Sequence, residues 1–429
     1  MTEHPRETSS DREFDLVLVG ATGFVGRLTA AHLAENGGGV RIALAGRDRS
    51  RLEKARAALP AAAAAWELVE VDVTKAEQAV ALARRTRVVC STVGPYDEYG
   101  KELVRACAKE GSHYCDLTGE LPFVRWSIDT VADLAESSGA RIVHSCGFDS
   151  VPSELGVLET ARAAAEAGDG TLTDTVTYVR SLRGGLSGGT IASMRGQFVR
   201  ASEEPEIKRL LSDPNALRPD RNGSGNGTSA PRSKVRTSNS KRSRTPLSRL
   251  GVQRDEAGRW SGPFFMASYN TRVVRASNDR SGQSYGPDFR YTEVVDGGPG
   301  LKGAARSVGA AGMVTVLFGG MSTAPTRAVL DRVLPAPGEG PSEENMAKGR
   351  FVFDVEAQTT SGARYRTRVA DRRDPGYTST AVMLGQSALE LASSEGPGGV
   401  HTPATGLGHA LTERLRTHGF HIETEKVSD

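Results

Sequence analysis

The sequence predicts an α/β fold in which a doubly wound parallel sheet is joined to a second, α+β domain with a mostly antiparallel sheet. Over the first 150 residues, short apolar runs alternate with helical segments, as expected where helices cover both faces of a parallel sheet. Beyond residue 170, polar and apolar residues alternate instead, which is typical of antiparallel strands with one solvated face. A length of 429 residues also exceeds what one hydrophobic core usually organises, so we expect two domains.

Each element follows from a run of this kind. Six strands of the first sheet are predicted in FDLVLVG, VRIALAG, ELVEVDV, RVVCSTV, HYCDLT and ARIVHSC. The helices between them are predicted at 24–36, 50–59, 75–85, 98–110 and 123–138. Strands of the second sheet are predicted in TLTDTVTYVRSL, DFRYTEVVDG, RFVFDVEAQTT and ARYRTRVADR. Two helices, near 378–394 and 404–418, close the chain.

These elements divide the chain into a loose, disordered tail (1–13), a first α/β domain (14–150), a second α+β domain (151–376) and carboxyl-terminal helices (377–429). The sequence leaves open whether those helices pack back on the first domain. Residues 213–251 interrupt the second domain with Ser, Asn, Gly, Pro and basic residues, and they carry too few apolar side chains to become ordered. We predict a disordered, solvated basic insertion, with attraction to an acidic carrier protein, lipid headgroups or nucleic acid as the alternative.

Charge and cysteine usage exclude several classes of protein. A net charge of +2 and a pI near 8.3 require neither nucleic acid nor an anionic membrane as the main partner, and we expect no nucleic acid. The first fifteen residues do not form a signal peptide, and the four cysteines form no CxxC pair. We therefore predict a cytoplasmic protein with reduced thiols and without a metal site.

The longest later apolar stretch is Val308–Met321, rich in glycine and alanine. At 14 residues it is too short to span a bilayer. We predict a buried or interdomain segment. Contact with a lipid surface or an apolar substrate is the alternative, which leaves peripheral membrane association open.

A glycine motif opens the first domain in DLVLVGATGFVG. Gly20 ends the strand and allows a tight turn, Gly23 removes a side chain where a pyrophosphate could approach, and Gly26 lets the next helix pack closely on the sheet. Phosphate would lie at the positive end of that helix. We predict a Rossmann-like dinucleotide-binding domain, with a bare tight turn as the alternative. Its cofactor contacts in this loop are predicted to be Gly20, Thr22, Gly23, Phe24, Val25 and Gly26.

The end of the second strand indicates which dinucleotide is bound. An NAD site usually places a carboxylate there, whereas this chain has Gly46 and Arg47, and the nearest acid, Asp48, is better placed as the N-cap of the next helix. A guanidinium at this position would pair with a 2′-phosphate, so we predict NADP(H), with a solvated charge as the alternative. Asp72, near the end of the predicted third strand, is predicted to contact the same cofactor.

The loop STVGPYDEYG follows the fourth strand. It is expected to face the glycine loop, because strands one and four flank the ligand crevice in this sheet order. Its predicted cofactor contacts are Ser91, Val93, Gly94 and Pro95. Tyr96 is a candidate catalytic proton donor, with an aromatic packing residue as the alternative.

Further motifs resemble one family in their order and spacing. GATGFVG, AGRDRSRL, STVGPYDEYG, YCDLTGE and HSCGFDSVPSELG resemble the amino-terminal half of the saccharopine dehydrogenase-like oxidoreductases. SGGTIASM, FFMASYNTRVVRASN, YGPDFRYTE and DPGYTSTAVMLGQSALELA resemble their actinobacterial branch, the trans-acting enoyl reductases. The resemblance implies NADP(H)-dependent reduction of a carbon–carbon double bond in an acyl or polyketide chain. That chain would be carried by a polyketide synthase that lacks this activity, on the route to complex cell-wall lipids.

Two other functions stay open: a saccharopine-type enzyme that reduces a C=N bond, and a non-catalytic scaffold built on the dinucleotide fold. Either reaction needs a proton donor and an anion hole, because hydride delivery leaves an enolate-like or amide anion. Asp116 and Asp149 follow the fifth and sixth strands and are candidate catalytic residues, with capping as the alternative for residues of these loops. Gly185–Gly196, with Thr190 near its helix start, is a candidate second anion site or a simple helix cap.

Overall fold

The computed structural model describes residues 12–184, 188–219, 246–321, 325–327 and 340–427. Two seven-stranded sheets organise them. The predicted combination of a doubly wound parallel sheet with a second, mostly antiparallel sheet is confirmed. Most of the predicted insertion, residues 220–245, and most of the predicted tail, residues 1–11, lie outside the described residues.

All strands of the first sheet are parallel, in the order β13-β6-β5-β4-β1-β2-β3. Its strands are β1 (Phe14–Val19), β2 (Ile42–Gly46), β3 (Glu67–Glu70), β4 (Thr86–Ser91), β5 (His113–Asp116), β6 (Arg141–Val143) and β13 (Gly399–His401). β1 lies between β2 and β4, with Val19 opposite Ser91 at the carboxyl ends. The strand order therefore reverses between β1 and β4, where a ligand crevice is expected.

Helices cover both faces of this sheet. They are α1 (Phe24–Asn36), α2 (Arg49–Ala57), α3 (Ala76–Arg85), α4 (Tyr96–Tyr99), α5 (Lys101–Glu110) and α6 (Leu121–Ser138). The next helix, α7 (Val151–Glu166), packs on the second sheet instead. Asp48 caps α2 as predicted, since its side chain accepts a hydrogen bond from Arg51 N at 3.0 Å. α5 and α6 end at Gly111 and Gly139, whose φ angles of +74° and +80° let the chain turn into the next strand.

The second sheet has the order β14-β12-β11-β7-β10-β9-β8. Its strands are β7 (Leu172–Arg183), β8 (Gln253–Arg254), β9 (Arg259–Pro263), β10 (Arg290–Pro299), β11 (Arg350–Thr359), β12 (Arg364–Asp371) and β14 (His421–Val427). Neighbouring strands are antiparallel except β7 and β10, which run parallel. β12 shows the predicted alternation, with every second side chain buried.

The remaining helices pack around the second sheet and on the first. They are α8 (Gly188–Glu203), α9 (Pro205–Ser212), α10 (Pro246–Arg249), α11 (Ala267–Arg280), α12 (Gly300–Met321), α13 (Glu343–Ala347), α14 (Thr380–Ser393), α15 (Pro403–Gly406) and α16 (Gly408–Thr417). α14 is almost wholly buried and packs on α1, β4 and β5 of the first sheet. β13 and β14 were not predicted, because β13 has three residues and β14 exposes most of its side chains.

The apolar stretch in the second half differs from its prediction. It belongs to α12, a helix of 22 residues, and in the described part of the chain this is the one helix long and apolar enough to cross a membrane. Only 22% of its most apolar window is buried, so the expectation of a buried segment was wrong. Its small residues Gly303 and Ser307 face the sheet, because Gly262 and Gly297 leave room for close approach. Larger apolar side chains, such as Leu301, are exposed.

The start of the first domain also differs from the expectation of a loose tail up to residue 13. The Arg12 guanidinium donates hydrogen bonds to the carbonyl oxygens of Ala83, Thr86 and Glu110. Glu13 pairs with Arg85. These contacts fix Arg12 and Glu13 beside the amino-terminal end of β4, so ordered structure begins before β1.

Candidate functional site

A cavity of about 310 Å³ lies at the carboxyl ends of β1 and β4. Five segments surround it: the glycine turn with the start of α1, the loop after β4, the loop after β5, the loop after β6, and the start of α8. The segment after β12 adds one aromatic side chain. The lining residues are Gly20, Thr22, Gly23, Phe24, Val25, Gly26, Thr92, Val93, Gly94, Pro95, Tyr96, Leu117, Gly119, Asp149, Gly188, Gly189, Thr190, Ala192, Ser193, Met194, Met266 and Tyr377.

The glycine turn is shaped as the sequence predicts. Gly20 has a φ of +90°, and a Cβ there would lie 2.7 Å from Thr92 Oγ1. A Cβ on Gly26 would lie 2.1 Å from the Gly20 carbonyl oxygen, so α1 can approach the strand only with glycine at this position. Gly23 is the N-cap of α1 and supplies no side-chain cap. The first N–H groups of α1 are therefore available to an anion in the cavity, and no acidic residue lies in the first turn to repel it.

Arg47 and Asp72 line a separate cavity of about 530 Å³ beside the ends of β2 and β3. Arg47 is exposed. Asp72 accepts hydrogen bonds from Thr74 N and Thr74 Oγ1, at 3.1 and 2.7 Å. These bonds lower the pKa of Asp72, with a smaller contribution from the charge of Arg47. The structure thus brings the two predicted residues together, and Arg47 presents a cation at the end of the second strand.

The loop after β4 divides into residues that line the cavity and residues that do not. Val93, Gly94 and Pro95 line it, whereas Ser91 does not and instead accepts a hydrogen bond from Val93 N at 3.3 Å. The Tyr96 side chain is buried, and its hydroxyl donates to the Ser91 carbonyl oxygen at 3.1 Å. Burial raises the pKa of Tyr96 well above its ordinary value. Tyr96 is among the residues that line the cavity, but its hydroxyl is bonded within its own loop, so the geometry favours the packing alternative and the proton-donor hypothesis stays a prediction.

Asp116, at the end of β5, does not face the cavity. Its carboxylate is fully buried and bonds His144 Nδ1 at 2.8 Å. It also accepts hydrogen bonds from Thr118 N and Ser145 N, both at 3.1 Å. These contacts join the loop after β5 to the loop after β6. Every partner shown for Asp116 is an internal group of the fold, so the geometry favours a structural role for it, and the catalytic hypothesis stays a prediction.

Asp149, in the loop after β6, does face the cavity. Its Oδ2 lies against Gly119 of the neighbouring loop, and its carboxyl bonds the Thr190 side chain. Burial raises the pKa of Asp149 to about 6, although the Thr190 contact acts in the opposite direction. Asp149 and Thr190 also line a further cavity of about 820 Å³. A carboxyl with this pKa, open to two cavities, can carry a proton near neutral pH.

The start of α8 does not follow the capping prediction. Thr190 is the third residue of the helix and bonds Asp149, so it is not the N-cap. α8 is held over the cavity by Glu120, whose carboxylate accepts from Ser193 Oγ at 2.7 Å and from Tyr96 N at 2.8 Å. Part of the predicted segment, residues 185–187, lies outside the described residues.

Sequence reasoning did not single out several lining side chains, among them Thr92, Leu117, Met194, Met266 and Tyr377. Tyr377 packs edge-on against Phe24, with ring centroids 4.9 Å apart. Its position had a signal in the turn sequence DPGYTS, where Asp374 accepts from Tyr377 N at 3.0 Å. The methionines had none, because a single methionine, whether within a helix like Met194 or in the turn before one like Met266, is normally a packing residue.

Metal chemistry has no obvious place in the described part of the chain. No group of three or more His, Cys, Asp or Glu side chains within it could hold a metal ion. Cys90, Cys107, Cys115 and Cys146 are all buried as free thiols.

Comparison with known proteins identifies the family. Residues 16–143 match the saccharopine dehydrogenase NADP-binding domain. A protein of Mycobacterium tuberculosis, provisionally named a trans-acting enoyl reductase, is 44% identical over 431 residues, which cover 98% of this chain and all of that protein. The trans-acting enoyl reductase of Mycobacterium ulcerans is 40% identical over 98% of this chain and 100% of its own length.

A solved structure shows the same fold at much lower identity. Apo saccharopine dehydrogenase (L-Glu forming) from Saccharomyces cerevisiae covers 96% of this chain and 99% of its own, with a TM-score of 0.52 and 13% identity. At that identity the likeness concerns the fold alone. From its near full-length relatives, the chain belongs to the trans-acting enoyl reductase family and is an oxidoreductase with a saccharopine dehydrogenase-type NADP-binding domain.

Proposed function

We propose that this protein reduces the carbon–carbon double bond of an acyl or polyketide thioester with NADPH. The observation that carries the proposal is the position of Asp149, a carboxyl with a raised pKa at the point where the cofactor cavity meets a second, larger cavity. The names of the relatives support the reaction class.

The residues present fit a dinucleotide. The glycine turn and the open start of α1 would hold the pyrophosphate, because a side chain at Gly20 or Gly26 would collide with neighbouring atoms. Arg47 would pair with the 2′-phosphate, which is the reason for proposing NADP(H) over NAD(H). Asp72 lines the cavity beside Arg47 and would contact the same end of the cofactor.

The reaction requires one hydride and one proton. NADPH, when bound, would supply the hydride for the β-carbon of the enoyl group. Asp149 gives its proton to the α-carbon and is reprotonated from solvent. Thr190 positions that carboxyl, and the packed side chains of Met194, Met266 and Tyr377 exclude water from the reacting carbons.

The lining of the cofactor cavity favours an acyl acceptor over an amino-acid adduct. No lysine or arginine is among the described residues that line it. An amino-acid dicarboxylate would need such cations close to its reacting carbon, whereas an acyl chain needs apolar contacts. We further propose that the acyl group arrives on a carrier protein in the cytoplasm, in keeping with the trans-acting relatives.

The first test is a fluorescence titration with NADPH and with NADH, followed by absorbance at saturating NADPH with a short enoyl thioester and, separately, with amino-acid imines. We expect tighter binding of NADPH and oxidation with the thioester only. Oxidation with imines alone would replace the proposal by the C=N enzyme, and binding without any oxidation would favour the scaffold.

A pair of variants tests the choice of cofactor. Arg47→Ala should weaken NADPH about 10- to 100-fold and NADH less than about 2-fold, since one charged hydrogen-bonding partner of the 2′-phosphate is lost. Arg51→Ala is the matched control, because Arg51 is an exposed arginine of α2 whose ion pair is with Asp48. Equal weakening of both cofactors by Arg47→Ala would remove the reason for naming NADP(H).

A further inference from the structure

Two further cavities open from the cofactor cavity at different points. The first, here called the arginine cavity, has about 820 Å³ and shares Asp149 and Thr190 with the cofactor cavity. The second, here called the apolar pocket, has about 250 Å³ and shares Gly119, Met194 and Met266. A ligand whose reacting atoms lie between these two sets of shared residues would therefore extend into both.

The apolar pocket is built for a hydrocarbon. It lies between α8, α9, α11 and α12, and its apolar lining is Leu121, Met194, Phe198, Leu211, Phe265, Met266 and Phe318. The largest polar side chains around it already have partners. The Tyr269 hydroxyl bonds Ser145 Oγ at 2.7 Å, and the Arg272 guanidinium donates to the carbonyl oxygens of Asp213 and Leu211. A ligand here therefore gains mainly apolar burial.

The arginine cavity has the opposite character. Arg180 is neutralised by Asp296 and Asp354, at 2.8 and 3.0 Å. Arg306 and Arg350 have no carboxylate partner among the residues that the structure describes, and Arg350 donates only to Ser181 Oγ, at 3.3 Å. Two guanidinium charges thus line this cavity without a counter-ion, an arrangement suited to a phosphate.

We propose that the two cavities hold opposite ends of one phosphopantetheine thioester. The acyl tail beyond the β-carbon lies in the apolar pocket, and the arm runs through the arginine cavity, where Arg306 and Arg350 bind its phosphate. This orientation rests on the proposed function. It places the thioester side of the double bond beside Asp149, which protonates the α-carbon, and the β-carbon on the side of Met194 and Met266.

The phosphate end is tested with two substrates that differ by one group, an enoyl phosphopantetheine and the same enoyl pantetheine. Arg306→Ala should raise KM about 10-fold for the phosphorylated substrate, change it less than about 2-fold for the other, and leave kcat unaltered for both. Lys302→Ala is the matched control, since Lys302 lies one turn earlier on α12 and does not line the cavity. An equal effect of Arg306→Ala on both substrates, or none, would overturn the assignment.

The source of the phosphate is distinguished with an enoyl-CoA of the same chain. If kcat/KM for the enoyl phosphopantetheine is close to that for the enoyl-CoA, the protein recognises the phosphopantetheine arm itself, as it would on a carrier protein. If kcat/KM is far higher for the enoyl-CoA and Arg306→Ala removes that difference, the arginines bind the nucleotide part of CoA. That result would overturn the proposal.

The tail end is tested by chain length. Leu211→Trp should fill the apolar pocket and lower kcat/KM for long enoyl chains at least about 10-fold while short chains are little affected; Phe318→Ala should shift the preference to longer chains. Leu134→Trp, at an exposed position of α6, is the control. An unchanged length profile in both variants would overturn the tail assignment. If no enoyl thioester supports NADPH oxidation by the unmodified protein, the proposed function itself fails. That result is distinct from a failure of the tail assignment, in which the unmodified protein is active but the length profile does not change.

Discussion

Asp116 and Asp149 follow neighbouring strands, β5 and β6, and stand at the same edge of one sheet, yet their environments differ. The buried carboxylate of Asp116 is hydrogen-bonded to the His144 ring, Thr118 N and Ser145 N. Asp149 has a hydroxyl partner, faces two cavities and has a pKa raised to about 6. This difference shows that a position at the carboxyl ends of the strands makes a residue a candidate for catalysis but does not establish that role. Whether its side chain meets reactants or internal N–H groups decides between catalysis and structure.

The largest expected effect is on catalysis by Asp149→Asn. This variant keeps the shape of the side chain but cannot donate the proton, so kcat should fall about 100- to 1000-fold while the Kd for NADPH stays within about 2-fold. In the unmodified enzyme, kcat should decline as pH rises through about 6, because the carboxyl loses its proton, and that dependence should vanish in the variant. Steady-state rates from pH 5 to 9 measure both. If kcat of the variant stays within about 3-fold of the unmodified value, Asp149 is not the proton donor.

Asp116→Ala should act on stability instead. Removing the carboxylate leaves the buried His144 ring and two N–H groups without their acceptor, so the free energy of unfolding should fall by about 3 kcal/mol. Urea denaturation measures this, and kcat per folded molecule should change less than about 3-fold. Asp116→Asn, which retains an acceptor oxygen for the two N–H groups, should lose less. A 100-fold loss of kcat in stably folded Asp116→Asn would restore a chemical role for Asp116.

Asp149 should also make the free energy of unfolding depend on pH. Its pKa is about 6 in the folded protein and 3.8 ordinarily. The favourable contribution of its protonated form is therefore complete below about pH 4 and lost as pH rises through about 6. Asp149→Asn avoids that loss, so its gain in unfolding free energy should grow from near zero at pH 4 to about 3 kcal/mol at pH 8. Thermal unfolding at the two pH values checks this, and a constant difference would argue against the raised pKa.

The smallest expected effect comes from Thr190→Val. Because the Thr190 hydrogen bond lowers the pKa of Asp149, its removal should raise that pKa. The alkaline decline of kcat should then move to higher pH by less than about one pH unit, with little change in the maximum rate. Ser193→Ala, on the same helix but bonded to Glu120, is the control and should leave the decline in place. A shift to lower pH would contradict the arrangement.

The outcome at individual residues shows which inferences could be made from sequence. Gly20, Gly26 and the Asp48 cap were predictable, because each depends on backbone geometry within a few residues. Tyr96 was ambiguous, since its hydroxyl is used by Ser91, and only the folded loop shows that. Arg12 was misassigned to a loose tail because its acceptors lie about 70 to 100 residues further along the chain.

The sequence by itself determined the alternation of strands and helices in the first domain, the crevice beside β1 and β4, the glycine turn at the start of α1, and the cation at the end of β2. These depend on periodicity and on conformations that only certain residues can adopt. Tertiary structure alone decided that Asp149 faces the cavities while Asp116 does not, that Met194, Met266 and Tyr377 line the site, and that α12 leaves most of its apolar surface exposed. These outcomes depend on which distant segments pack together, and burial, which shifts a pKa or hides a hydroxyl, exists only after they have done so.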